Sequence, residues 1–149
     1  MPPIISTFGA ASARGFGFGL KGTVVPYDPK TFVAVSANTA TGAYSTDGTT
    51  WTGNTMPSSQ YWYSVTFGNG KFVAVAYGST VAAYSTDGIN WTASTMPSSQ
   101  NWISVTFGNG KFVAVAYGPT NVAAYSTDGI NWTASTMPSS QNWYSVIYG

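Results

Sequence analysis

The chain of 149 residues contains no cysteine, no histidine and no glutamate. These absences exclude disulfide bonds, thiolate nucleophiles, imidazole bases and zinc sites of the usual Cys/His kind. Charged residues make up only 6% of the chain, against about 25% in an ordinary soluble domain. The net charge of +1 comes without a cluster of Lys or Arg, so we expect no nucleic-acid partner. No apolar run approaches the ~20 residues of a membrane-spanning helix, so we expect no membrane insertion.

What the chain has in abundance is internal repetition. The segments FVAV, YSTDG and TMPSSQ each occur three times, spaced by 40 or 41 residues. Turn signals at intervals of about ten residues divide each unit into four short strands, which is the size of one propeller blade. The sequence therefore predicts an all-β fold of three tandem four-stranded antiparallel β-meander repeats, with almost no helix.

Within a unit, the pattern predicts specific local structures. The run FVAVAY is continuously apolar and indicates a strand buried on both faces. Asn69-Gly70 and its copy Asn109-Gly110 are the preferred pair for a tight type I′ hairpin. We expect the segment MPSSQ to act as the connection from one unit to the next.

The chain divides into two regions of different composition. Residues 23–149 carry the repeats, whereas residues 1–22 interleave five glycines with phenylalanines and one arginine. Such a segment is typical of an extended arm, and we expect it to dock onto another protein or to pack as an edge strand.

The number of units points to self-association. Three units are fewer than the usual four to eight blades of a propeller, and a strand-like segment without a partner lies at each end. Pairing these edges would remove them from solvent, within one ring or between chains. We expect closure by homo-oligomerisation, as a dimer or a trimer, and a compact monomer of three small sheets is the alternative.

Each unit contains a heptad of the form Ser-Thr-Asp-Gly-x-x-Trp, which resembles the Asp-box (BNR) repeat of sialidase-like β-propellers. The repeat here has one residue fewer between Asp and Gly than the usual pattern. In that family the Asp caps a hairpin turn and the Trp lies beneath it. The resemblance implies structural roles for Ser45, Asp47, Gly48, Trp51, Ser85, Asp87, Gly88, Trp91, Ser126, Asp128, Gly129 and Trp132.

The resemblance does not imply sialidase activity. Sialidases use three arginines and a Tyr/Glu pair, whereas this chain has one arginine and no glutamate. Three of the four aspartates occupy equivalent turns, a poor arrangement for two carboxylates that must meet at one bond. We expect no enzymatic activity and no cofactor. We also expect no metal site, because one carboxylate per turn falls far short of a Ca²⁺ shell.

The stretch STFGAASARGFGF before the repeats resembles phage or prophage tail proteins, in which a short tether precedes an Asp-box array. The resemblance implies a virion structural protein of the tail fibre or appendage, extracellular, contacting other virion proteins through residues 1–22. The alternative is a glycan-binding, lectin-like module of natural or designed origin.

Exposed aromatic rings beside short polar side chains are typical of surfaces that bind carbohydrate. The segment after each MPSSQ supplies both, and host cell-surface polysaccharide is the expected ligand. The candidate glycan-binding residues are Tyr61, Trp62, Tyr63, Trp102, Trp143 and Tyr144. The tryptophans also suit packing between blades, so the tyrosines are the better candidates.

Overall fold

The computed structural model describes residues 30–149. The predicted arm of residues 1–22 and its boundary with the repeats lie outside the described residues. Within residues 30–149 the chain forms strands and turns. No helix long and apolar enough to cross a membrane was found in that part of the chain.

In the described part of the chain, nine strands follow one another in order, and each pairs antiparallel with the next. Their bounds are β1 Phe32–Val35, β2 Thr39–Ser45, β3 Thr52–Gly68, β4 Lys71–Tyr77, β5 Ser79–Ser85, β6 Thr92–Gly108, β7 Lys111–Tyr117, β8 Thr120–Ser126 and β9 Thr133–Gln141.

The two long strands, β3 and β6, each belong to two blades. The first half of β3 pairs with β2, and its second half, from Tyr61 to Gly68, pairs with β4. The first blade is therefore β1, β2 and the start of β3. The second is the end of β3, β4, β5 and the start of β6, and the third is the end of β6, β7, β8 and β9. The predicted blade-like meanders are confirmed.

The segment MPSSQ connects one unit to the next, as predicted, and it does so within a continuous strand. The ladder between β2 and β3 skips from Thr55 to Gln60, so the four residues between them have no partner in β2. Pro57 lies in this gap, where the N–H that it lacks is not needed for pairing. The strand thus passes from one blade to the next without a turn.

The turns follow the predicted chemistry. Asn69 and Gly70 have φ of 47° and 72°, and Asn109 and Gly110 have φ of 46° and 73°. Positive φ at both central residues is what a type I′ hairpin requires.

The core lies between the blades. The residues Val73, Ala74, Val75 and Ala76 of β4 are fully buried, which confirms the strand buried on both faces. One hydrophobic cluster joins the first two blades, where Met56 packs with Trp62 and Ala74. The equivalent cluster joins the second and third blades around Met96 and Trp102. Adjacent blades therefore bury the faces that they turn toward each other.

Candidate functional site

The Ser-Thr-Asp-Gly turns form closed hydrogen-bond networks at one end of the sheets. In the second blade, Ser85 Oγ donates to Asp87 Oδ1 at 2.9 Å and accepts from the Gly88 amide at 2.8 Å. The same carboxylate oxygen accepts from the amides of Ile89 and Asn90, each at 2.8 Å. The turns at Ser45 and Ser126 repeat this geometry. Three serines and three aspartates thus hold backbone rather than a ligand.

The networks lower the pKa of all three carboxyls below the usual 3.8. For Asp47 the backbone amide of Thr50 is the largest cause. For Asp128 it is the amide of Asn131. For Asp87 burial acts to raise the pKa, and the hydrogen bonds from the side chain and amide of Asn90 outweigh it. A carboxylate held ionised by donors in its own turn is suited to capping and unsuited to accepting a proton from a substrate.

The tryptophans after these turns differ between units. Trp91 and Trp132 are half-buried and pack against the two hydrophobic clusters, whereas Trp51 is 47% exposed. In the described range, residues 30–149, no group of three or more acidic, cysteine or histidine side chains could hold a metal ion. The Ser-Thr-Asp-Gly turns therefore hold the local backbone in place.

The structure corrects the prediction for two of the candidate glycan-binding residues. Trp62 and Trp102 are buried, and each indole N–H donates to a backbone carbonyl, of Ser58 and Ser98, at 3.2 Å. Their rings fill the interface between blades and offer no face to a ligand. Trp143 is half-buried, and its indole nitrogen lacks the equivalent hydrogen bond.

The three candidate tyrosines lie on the surface. Tyr61, Tyr63 and Tyr144 are 48%, 50% and 63% exposed. Tyr63 packs on Tyr77 with ring centroids 5.3 Å apart, and Tyr144 packs on Tyr117 at 5.0 Å. We call these five residues the tyrosine rim.

The rim lies at the end of the sheets opposite the charged turns. Tyr77 and Tyr117 are the last residues of β4 and β7, whereas Lys71 and Lys111 are the first. Since β4 starts beside the Ser85 end of β5, the lysines and the aspartate turns share the other end. The rim is thus an aromatic surface set apart from these charges.

Polar groups accompany the rings. The amide of Asn101 lies beside Gly78 and Gly118, next to the rim, and Asn101 is the cross-strand partner of Tyr117. The pKa of Tyr144 is raised, chiefly by its interaction with the neighbouring Tyr117. Aromatic faces with amide and hydroxyl groups can stack on and hydrogen-bond a neutral sugar.

Tyr77 and Tyr117 are not among the candidate residues predicted from the sequence. Each ends the apolar run FVAVAY immediately before a glycine, and this position at the strand end was the signal available. Ile103 occupies the position equivalent to Tyr63 and Tyr144, so the aromatic row is interrupted in the third blade.

The fold is shared with solved structures. No protein-family model matches the chain, and no curated protein matches its sequence. Virginiamycin B lyase from Staphylococcus aureus superposes with a TM-score of 0.63 at 16% identity, covering 72% of this chain and 38% of that protein. YCF48, solved bound to a D1 peptide, superposes with a TM-score of 0.58 at 20% identity, covering 75% of this chain and 39% of that protein. Both neighbours are β-propellers, and the described residues accordingly have the fold of β-propeller blades.

Proposed function

We propose that the chain is a structural component of a phage tail fibre or appendage, and that its tyrosine rim contacts polysaccharide on the host surface. The observation that carries the proposal is the rim, where three exposed tyrosines and two half-buried ones lie at one end of the sheets. Four of its five rings are already packed in two pairs, so ordering these rings on binding would cost little side-chain entropy.

The composition and the heptads support an extracellular particle. A chain with five Lys and Arg residues and no cysteine offers few sites to trypsin-like proteases and no thiol to oxidise. The resemblance to Asp-box arrays after a short tether supports the tail, with residues 1–22 as the contact to other virion proteins. The turn geometry at Asp47, Asp87 and Asp128 agrees with a capping role for that motif.

Binding is tested with immobilised bacterial capsular and O-antigen polysaccharides. Removing one stacked ring costs about 0.5–1.5 kcal/mol, or roughly a two- to tenfold loss of affinity. We expect such a loss for Tyr63→Ala and for Tyr144→Ala. The matched control is Trp51→Ala, because Trp51 is also an exposed aromatic but follows the turn at the charged end. Equal losses in all three variants would contradict binding at the rim.

Location on the particle is tested separately, by immunogold electron microscopy of phage particles from the strain that encodes the chain. Labelled tails support the virion role. Polysaccharide binding with unlabelled tails would instead favour the free-standing, lectin-like module.

A further inference from the structure

The two ends of the blade array differ from its interior at equivalent positions. Phe72 and Phe112 are 5% and 0% exposed, whereas Phe32, their counterpart in β1, is 57% exposed. Met56 and Met96 are buried, whereas Met137, their counterpart in β9, is only half-buried. Side chains that the interior covers are thus uncovered at both ends.

The interior interface shows what would cover them. Between the first and second blades, Met56 packs against one face of the second blade, which carries Trp62 and the alanines Ala74, Ala76 and Ala83. Between the second and third blades, Met96 packs in the same way beside Trp102. The interface is a methionine and a tryptophan seated on a face of small side chains.

Among residues 30–149, no methionine and tryptophan cover the equivalent face of small side chains on the first blade. Ala34, Ser36 and Ala43 are the counterparts of the three interior alanines. They line an open, largely apolar pocket of about 110 Å³. At the other end of the array, Met137 and Trp143 are the counterparts of the covering pair.

The backbone at the end of the third blade is placed for a further blade. Residues 142–149 follow β9, and the Val146 amide donates to Ser104 Oγ at 3.2 Å. The Val105 amide makes the equivalent bond to Ser64 Oγ at 3.1 Å. This bond joins the first strand of the third blade to the first strand of the second blade. The Tyr148 ring covers Gly108 as the Phe107 ring covers Gly68. Residues 142–149 thus lie where the first strand of a fourth blade would lie, but within the described range they pair with no other strand.

We propose that residues 142–149 of one copy pair with β1 of a second copy and complete its first blade. Met137 and Trp143 then fill the pocket at Ala34. The interface between copies then repeats the interface already present between blades. The pairings Phe67 with Phe72 and Phe107 with Phe112 set the register. They place Tyr148 opposite Phe32, Ile147 opposite Val33, Val146 opposite Ala34 and Ser145 opposite Val35.

Two copies joined head to tail at both ends form a ring. Each chain then contributes three complete blades, and six blades fall within the usual four to eight. The joining residues carry no charge, so their burial carries no ionic desolvation cost. The pairing also covers Ile147, which is 86% exposed in the single chain.

Native mass spectrometry and light scattering of the full chain test the proposal. We expect a species of twice 15.6 kDa. We expect Met137→Asp to weaken association at least about a hundredfold, because it places an unpaired carboxylate in the apolar contact. Ser140→Asp is the matched control, since this position of β9 and its counterparts Ser59 and Ser99 are exposed in every unit, and it should leave the dimer intact.

A second variant protects the test against misfolding. Ala34 is exposed in the single chain, so Ala34→Asp should fold and still abolish the dimer. A wild-type chain that has the mass of one copy at all concentrations would overturn the proposal. This is the result expected if residues 23–29 of the same chain, rather than a second copy, pair with β1. A trimer, or a dimer retained by both Met137→Asp and Ala34→Asp, would also overturn it.

Discussion

Removing one hydroxyl from a Ser-Thr-Asp-Gly turn tests whether these turns stabilise the blades. Ser85 is 2% exposed, and its Oγ accepts from the buried Gly88 amide. In Ser85→Ala this amide loses its partner away from water, which costs about 1–3 kcal/mol. For a chain of this length that corresponds to roughly 2–4 °C in Tm for each kcal/mol. Urea denaturation followed by tryptophan fluorescence measures the loss.

Two comparisons make the test sharp. Thr86→Ala, next in sequence and exposed, is the control and should change the free energy of unfolding by less than about 0.5 kcal/mol. Ser45→Ala should cost less than Ser85→Ala, because the Gly48 amide that it leaves is in an exposed turn and water can replace the hydroxyl. A Ser85→Ala loss no larger than that of Thr86→Ala would refute the reasoning.

Three further predictions concern the turns and the core. The fold holds the pKa of Asp87 below 3.8, so the ionised carboxylate stabilises the folded chain fully above pH 3.8, and this stabilisation is lost as the pH falls below that value. The urea midpoint should therefore fall between pH 6 and pH 2, and it should fall by less in Asp87→Asn. Trp102→Ala removes one ring from the core between two blades and should lower the free energy of unfolding by about 3–5 kcal/mol. Trp51→Ala should lower it by less than about 0.5 kcal/mol, and equal urea midpoints for the two variants would contradict this prediction. Gly70→Ala should lower the free energy of unfolding by about 1–2 kcal/mol, because alanine is strained at the positive φ of 72°. Gly53 has the same open space around it but no positive φ, so Gly53→Ala should cause no comparable loss in thermal melts.

Much of the fold can be predicted from the sequence because each strand and turn pattern occurs in three copies that can be compared. The period gave the size of the blade, and the Asn-Gly pairs located the hairpins because few other dipeptides tolerate positive φ at both positions. The continuity of β3 through Pro57 was not predictable in the same way. A proline and two serines are typical of a turn, whereas in the structure the segment is extended and its Met56 packs between blades.

The candidate site was predictable in part. The exposure of Tyr61, Tyr63 and Tyr144 could be inferred because these positions differ between units and so escape the packing common to all three. The burial of Trp62 and Trp102 could not be decided, since a ring opening a strand can face either a neighbouring blade or solvent. Which face is covered depends on the angle between blades, and this is set by contacts about 40 residues apart.

Cysteine cross-linking shows directly whether the blade array continues from one copy into the next. The chain has no cysteine of its own, so Ile147→Cys and Val33→Cys can be coexpressed as separate variants and oxidised. Cross-strand partners lie about 4.5–5.5 Å apart at Cα, within reach of a disulfide. We expect a covalent heterodimer from this pair and none when Thr41→Cys replaces Val33→Cys. No covalent heterodimer with Val33→Cys, or equal yields from both pairs, would contradict it.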